Sequence, residues 1–320
     1  MTFAGSPDRV ESQLVPEAGF ELDTFDISGF PRRPSVALLH ALWQAGRAPF
    51  ACRAILRRRR PDVVLGGGGY VAGPMVLAAR LSRIPAALTE ADAHLGLANR
   101  LAAPFARKVF LAYDVKGRSG QKYEVVGRPI PVAHLGASGA EARAHFGIAA
   151  EAQVVAVFGA LAGAATLNQM AVEAWGREGP TVLHVSGQRD FPALRARVQR
   201  PEYMLMAQTD RFGDVLAAAD VAVSRAGGTV WELAAAGTPS VLVPYPHATA
   251  DHQTLNARHF ENGGGAIVVR NADVETVPEI VAALLADPDR LAAMRVAMRA
   301  LARVDAADRI ADGVIALARS

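Results

Sequence analysis

A strand that runs into a glycine-rich turn and hands over at once to a helix constrains this chain more than any other feature. From Val221 to Val243 the sequence reads VAVSRAGGTVWELAAAGTPSVLV. The apolar run Val221 to Val223 stops at Ser224-Arg225-Ala226-Gly227-Gly228-Thr229, and a helix-forming run from Val230 to Ala236 stops at Gly237. A second strand, Ser240 to Val243, then meets Pro244. Strand, turn, helix and strand make one βαβ unit, the building block of parallel sheets. At such a turn the unpaired backbone N–H groups and the helix dipole favour an anion, most often a phosphate. Two local explanations compete with a ligand. Thr229-x-x-Glu232 also fits a capping box, in which Glu232 only caps its own helix, and Gly227 and Gly228 suit any turn that needs positive φ. The polar cluster His247, Asp251, His252, Gln253 and Asn256 favours the ligand. It follows the next strand of the same unit, at the sheet edge where open α/β sheets bind their ligands.

The same pattern runs through the chain. Strands are expected at Phe3 to Gly5, Gly19 to Ile27, Pro61 to Leu65, Ile84 to Leu88, Lys108 to Ala112, Gln153 to Phe158 and Thr181 to Ser186. Helices are expected at Pro34 to Arg60, Asn99 to Ala106, Ala164 to Trp175 and Asp210 to Ala218, with only helices after Val269. Pro74 is placed in the first turn of the helix after Gly66-Gly67-Gly68-Gly69. The prolines in Val125-Val126-Gly127-Arg128-Pro129-Ile130-Pro131 forbid a continuous helix and mark a boundary. The fold class is therefore α/β, with two Rossmann-like domains facing a cleft. A domain that opens on what looks like the end of a strand predicts that its first βα unit is absent.

Charge adds a partner class. Residues 1–130 hold 18 Lys and Arg against 11 Asp and Glu, whereas the whole chain is only +3. A basic first half fits a phosphate-bearing substrate or an anionic membrane surface. The helix from Pro34 carries Val36, Leu39, Leu42, Trp43, Phe50 and Ile55 and ends in Arg57-Arg58-Arg59-Arg60. It reads either as a core helix whose arginines complement its dipole or as a basic, apolar face resting on lipid. No nucleic-acid module or zinc spacing is visible, so nucleic acid is excluded. The single cysteine, Cys52, cannot form an internal disulfide and fits a reducing compartment. Gly67-x-Gly69-x-x-Ala72 with Glu90 some twenty residues on fits a dinucleotide fingerprint, the basis of a nicotinamide-oxidoreductase alternative. Tyr70 and Pro74 inside that stretch, and the polar cluster it leaves unexplained, count against it.

Taken in order, several segments resemble the MurG glycosyltransferases, which have the GT-B fold. They are Pro61-Asp62-Val63-Val64-Leu65-Gly66 through Gly69-Tyr70-Val71-x-Gly73-Pro74, Glu90 with Gly96-Leu97-x-Asn99, Val125-Val126-Gly127-x-Pro129, Phe158-Gly159 with Leu167-Asn168, and nearly all of Ser224 to Asn256. The resemblance covers almost the whole chain. It implies inverting transfer of N-acetylglucosamine from UDP-N-acetylglucosamine to an undecaprenyl-diphosphate-linked muramyl peptide. That step belongs to peptidoglycan synthesis and needs no obligatory metal or cofactor. The enzyme would be peripheral on the cytoplasmic face of the cell membrane. Residues 1–128, completed by a helix at 305–320, would form the acceptor and membrane-side domain, and 129–304 the donor domain. The resemblance makes Ala226, Gly227, Gly228 and Thr229 diphosphate ligands and gives the ribose diol to Glu232. His252, Gln253 and Asn256 take sugar hydroxyls. Gly67, Gly68, Gly69, Tyr70 and Asn99 face the acceptor, and Glu90 and Asp92 are the catalytic candidates.

The chain also departs from the family. The family's N-terminal glycine-rich loop with its histidine is absent. The turn after the first strand of the second domain reads Ala160, Leu161, Ala162, Gly163, Ala164, Ala165 where the family carries Ser, Gln and Arg. Pro131 stands where an arginine is expected, and Arg128 where an asparagine is. The segment Thr89, Glu90, Ala91, Asp92 replaces His-Glu-Gln-Asn. Two further readings follow: a related UDP-sugar transferase with another acceptor, or a catalytically impaired nucleotide-sugar-binding relative. Of the histidines, His94, His247 and His252 lie near expected loops, whereas His40, His134, His145, His184 and His259 are expected to be packing or surface residues.

Overall fold

A computed structural model describes residues 1–28, 36–136, 138–159 and 164–320, apart from the side chains of residues 37, 38 and 42. The chain divides into two units, one of residues 1–126 with 307–320 and one of residues 127–306.

The first unit opens with β1 (Phe3–Gly5), α1 (Glu11–Glu17) and β2 (Leu22–Thr24), the two strands pairing in parallel as a sheet of their own. There follow α2 (Val36–Arg59), β3 (Val64–Gly66), α3 (Gly69–Leu81), β4 (Ala86–Glu90), α4 (Leu97–Ala102), β5 (Lys108–Leu111) and β6 (Tyr123–Val125). Strands β3 to β6 form a parallel sheet in chain order. Helices α2 and α3 cover one face through Cys52, Ile55, Leu56, Met75 and Val76, packed on Val64, Leu88 and Val109. The C-terminus of α2 is tied to β2. Arg58 Nη2 donates to Asp23 Oδ1 at 2.7 Å and Arg59 Nε to Asp23 Oδ2 at 2.8 Å, and Arg59 also pairs with Glu21. These bonds hold the Asp23 carboxyl below the usual carboxylate range, Arg59 contributing most.

The second unit begins with α5 (Gly139–His145), β7 (Val154–Phe158), α6 (Ala165–Trp175), β8 (Thr181–Val185), α7 (Phe191–Arg195) and β9 (Tyr203–Met206). It continues with α8 (Phe212–Ala218), β10 (Val221–Ser224), α9 (Val230–Ala236), β11 (Ser240–Leu242), α10 (His252–Asn262), β12 (Ala266–Val268), α11 (Val277–Leu285) and α12 (Pro288–Leu301). Its six strands are parallel in the order β9-β8-β7-β10-β11-β12. Strand β7 is buried at all five positions and β10 at all four, as expected of strands covered by helices on both faces. Counted from β7, the order is 3-2-1-4-5-6, the Rossmann arrangement. The strand order reverses between β7 and β10, so the carboxyl ends of those two strands form the crevice where such sheets take a nucleotide.

Helix α13 (Ala306–Ala318) then returns to the first unit. Ile310, Val314 and Leu317 pack on Ala87, Phe110 and Val126, and Arg309 Nη2 donates to Glu124 Oε1 at 2.9 Å.

Several expectations need correction. Helix α3 starts at Gly69, which puts Pro74 in its interior rather than in its first turn. The entry into that helix is made by Gly68 and Gly69, at φ +91° and +67°, backbone that side-chain-bearing residues seldom adopt. Strand β4 begins two residues later than expected and runs on through Glu90, which ends it as a buried residue. Strands β6 and β9 were not expected. Each is a short edge strand with part-exposed positions; β6 is interrupted by Glu124, and β9 is apolar throughout but only four residues long.

Candidate functional site

In the second unit, β10 delivers the turn Arg225–Thr229 to the crevice. Arg225 is 7% exposed, and its guanidinium donates through Nη1 to the carbonyls of Val243 (3.0 Å) and Pro244 (3.2 Å) and to Asn271 Oδ1 (2.8 Å). This buried cation fastens the start of the turn to the segments after β11 and β12. No carboxylate pairs with it among the described residues, and its Cζ lies 5.7 Å over the Tyr245 ring. Asn256, fully buried on α10, donates from Nδ2 to the Ala226 carbonyl at 3.1 Å and holds the middle of the turn. The carbonyls of Gly227, Gly228 and Thr229 open α9 by accepting from Val230, Trp231 and Leu233. The N–H groups of Gly227, Gly228 and Thr229 find no acceptor among the described residues. Three backbone donors without acceptors, in a turn that opens on a buried arginine, have the chemistry to receive an anion.

Glu232 lies in the first turn of α9. The capping box is not formed: Thr229 makes no side-chain cap, and its backbone is already helical. Glu232 Oε2 instead meets His134 Nδ1 at 2.7 Å, both side chains mostly buried. The His134 ring lies 5.5 Å from that of Phe212, which lies 5.0 Å from Phe158 at the end of β7. Phe158, Phe212, His134 and Glu232 therefore form a continuous wall from β7 to α9. His134, expected to be a packing or surface residue, is the group that orients Glu232. The two are 98 residues apart in sequence, and no local pattern links them.

The segment entering α10 is strained, with Ala250 and Asp251 at φ +52° and +53°. His252 Nδ1 donates to the Thr249 carbonyl at 2.8 Å, and Gln253 Oε1 accepts the Tyr245 N–H at 2.9 Å. His252 and Gln253 stay part-exposed. Asn256 is buried, with its amide turned to the Ala226 carbonyl.

In the first unit, Gly67 to Tyr70 follow β3 with Gly67 and Gly69 exposed and Tyr70 packed on the core. Glu90 is not placed as a base. Its Oε1 accepts the N–H groups of Ala91 (3.0 Å) and Asp92 (3.3 Å), and its Oε2 accepts Gly96 N–H and Asn99 Nδ2, each at 2.9 Å. Four donors converge on one buried carboxylate, which organises the Ala91–Gly96 loop rather than taking a substrate proton. The same geometry withdraws it from a ribose, which leaves the dinucleotide reading with its glycine pattern alone. Asn99 is 3% exposed and also donates to the Thr89 carbonyl at 3.0 Å, so it belongs to this loop network. Asp92 is part-exposed in the same loop.

Residues 160–163, where the family's Ser and Gln are missing, lie outside the described residues. A cavity of about 500 Å³ lined by Gln153, Trp175, Thr181 and Leu285 sits at the opposite, amino edge of β7 and β8, away from the crevice. Among the described residues no three His, Cys, Asp or Glu side chains converge as metal ligands.

Residues 2–111 match the glycosyltransferase family 28 N-terminal domain and residues 154–310 the family 28 C-terminal domain. The chain belongs to glycosyltransferase family 28. Among its relatives is a Rubrobacter xylanophilus protein named UDP-N-acetylglucosamine--N-acetylmuramyl-(pentapeptide) pyrophosphoryl-undecaprenol N-acetylglucosamine transferase, 38% identical over all of this chain and 96% of its own length. A Mycobacterium avium protein of the same name is 39% identical over all of this chain and 82% of its own. The crystal structure of Acinetobacter baumannii MurG superposes with a TM-score of 0.78 at 25% identity, covering 98% of this chain and 90% of that one. A calicheamicin glycosyltransferase shares the fold, with a TM-score of 0.71 at 17% identity over 99% of this chain and 90% of its own. As a family 28 glycosyltransferase the chain has an α/β fold of two Rossmann-like domains. The matched C-terminal domain is the one that carries the turn Arg225–Thr229.

Proposed function

We propose that this chain transfers N-acetylglucosamine from UDP-N-acetylglucosamine to an N-acetylmuramyl-(pentapeptide) pyrophosphoryl-undecaprenol acceptor. The observation that carries the reading is the turn Arg225–Thr229, with three N–H groups free for a diphosphate and Glu232 a turn further on. It sits where the strand order reverses, in a chain that matches relatives of that name along its length. The acceptor hydroxyl oxygen bonds to C1 of the sugar while the bond from C1 to the diphosphate oxygen breaks. The electron pair stays with UDP and the hydroxyl proton is released. The turn's N–H groups lie where they would stabilise the charge that grows on UDP. Glu232, held on one oxygen by His134, has the other free for the ribose diol.

The direct test supplies the full chain with labelled UDP-N-acetylglucosamine and the lipid-linked muramyl-peptide acceptor. Formation of the disaccharide lipid with release of one UDP per sugar is expected. UDP-sugar binding without transfer would favour the impaired relative. Transfer only to a different acceptor hydroxyl would favour the related transferase.

The acceptor's lipid calls for a peripheral site at the inner face of the cytoplasmic membrane. No helix among the described residues is long and apolar enough to cross a membrane. Helix α2 instead offers one exposed stripe of Val36, Leu39, Trp43 and Phe50, at 83%, 67%, 57% and 75% exposure. Their spacing puts them on one face, and Arg47 lies 4.6 Å over the Trp43 ring. Apolar residues flanked by arginine suit the headgroup region of anionic lipid. Arg58 and Arg59 are engaged with Asp23 and Glu21 and contribute less to this face than the sequence led one to expect. Changing Trp43 and Phe50 together to Ser is expected to release most of the protein from anionic vesicles in sedimentation. Retention equal to the unaltered chain would rule the stripe out.

A further inference from the structure

We propose that Arg128 is a diphosphate ligand in this chain, a guanidinium that closes over the turn Arg225–Thr229 and grips the phosphates of UDP. The inference rests on the reading of that turn as the nucleotide site.

The position of Arg128 is over-determined by its neighbours. Gly127 has φ +88°, and a methyl group on it would overlap Arg303 Cβ and reach within 3.5 Å of Trp231 Cζ3. Only glycine lets the backbone pass so close to those two side chains. Pro129 follows and holds residue 128 to extended backbone. Launched from this fixed point, the Arg128 side chain lies flat against Gly228. A methyl group built on Gly228 would meet Arg128 Nη2 at 2.5 Å and run into Cζ and Nη1 as well. The guanidinium therefore lies against Gly228, in the turn whose Gly227, Gly228 and Thr229 N–H groups have no acceptor among the described residues.

Arg128 is also uncommitted. It is half-buried, and among the described residues no carboxylate pairs with it, whereas Arg143 is paired with Asp220, Arg211 with Asp214 and Arg309 with Glu124. Arginine is the side chain whose planar fork matches two phosphate oxygens at once. A partly desolvated cation beside three partnerless backbone donors has the chemistry of an anion clamp, and the anion that the site's reading brings there is a nucleoside diphosphate. The clamp would also supply positive charge close to the phosphates where the turn after β7 lacks an arginine.

The test is calorimetric titration of the full chain with uridine and with UDP. Variants are Arg128→Gln, Arg128→Lys, Gly228→Ala and the Arg128→Gln, Gly228→Ala pair. Arg128→Gln should weaken UDP about tenfold to a hundredfold, the range for a lost charged hydrogen bond, and leave uridine within about twofold, while Arg128→Lys recovers part of the loss. Gly228→Ala keeps every backbone N–H and displaces only the flexible end of Arg128, so it should fold whether or not Arg128→Gln does. It should weaken UDP alone and add little in the Arg128→Gln background. An unchanged or tighter UDP affinity in Arg128→Gln would overturn the assignment, the second outcome marking the side chain as a plug. Equal losses for uridine and UDP would overturn it as well, by making Arg128 a structural residue. If the unaltered chain bound neither ligand, the nucleotide reading itself would fall. Binding by the unaltered chain with an indifferent Arg128 would remove only this inference.

Discussion

Glu232→Ala is expected to weaken UDP binding by about 1–3 kcal/mol, roughly five- to 150-fold in dissociation constant, with little change in the stability of α9. The direction follows from what the carboxylate does and does not touch. It does not cap its own helix, since Thr229 is already helical and makes no side-chain cap. It is held through Oε2 by His134 at 2.7 Å, which fixes the carboxylate without using Oε1. A carboxylate oriented in this way accepts from a vicinal diol with little further loss of freedom. The specific signature is sugar discrimination. The unaltered chain should prefer UDP to 2′-deoxy-UDP, and Glu232→Ala should erase the preference. Retained preference with a lowered melting temperature would make Glu232 a partner for His134 and nothing more.

The parts of this architecture that could be read from sequence are those in which one local rule governs several neighbouring residues. The buried strands β7 and β10 are continuous apolar runs because helices cover both their faces, and the turn after β10 announces itself by two glycines before a helix. The edge strand β6 lacks such a run because Glu124 interrupts it, and β9, though apolar from Tyr203 to Met206, is too short for its four residues to be told from a loop. The site divides in the same way. Gly227, Gly228 and Thr229 follow from chain direction alone. His134 and Arg128 reach α9 and its turn from a segment about a hundred residues earlier, and only the packing of Gly127 and Gly213 shows how. Gly213 leaves no room for a Cβ above the His134 backbone, which brings α8 hard against that residue. Glu90 shows the opposite failure. Its spacing from Gly67 fits a ribose-binding acid, and the family resemblance makes it a catalytic candidate. Spacing carries no information about the four N–H groups that surround it, and these decide its role. Nor does residue type show that Asn256 is buried with its amide turned inward to the Ala226 carbonyl.

The second unit should lose stability steeply as the pH falls from about 6.5 to about 4, and His184 should account for much of the loss. This residue is fully buried on β8, and burial lowers its pKa from 6.5 to about 4. Its hydrogen bonds fit a neutral ring. The Tyr203 hydroxyl donates to Nδ1 at 2.7 Å, and Nε2–H donates to Asn168 Oδ1 at 3.0 Å. Asn168 Nδ2 in turn donates to the Ser186 carbonyl and to Asp190 Oδ2, both at 2.9 Å. Between the two pKa values the unfolded chain binds a proton that the folded chain refuses, so stability rises with pH in that window. The contribution is fully present above pH 6.5 and is lost as pH drops toward 4, on the order of 3 kcal/mol in all. His184→Gln, which keeps a donor and an acceptor, should flatten the pH dependence of the urea midpoint in that range relative to the unaltered chain. His184→Ala should cost about 2–4 kcal/mol at neutral pH, since it leaves a cavity and two buried polar groups without partners. Trp175 and Trp231 both lie in this unit, so tryptophan fluorescence reports its unfolding. Parallel pH profiles for His184→Gln and the unaltered chain would move the acid sensitivity to other groups. His259 is the first of these to examine, because burial lowers its pKa in the same direction.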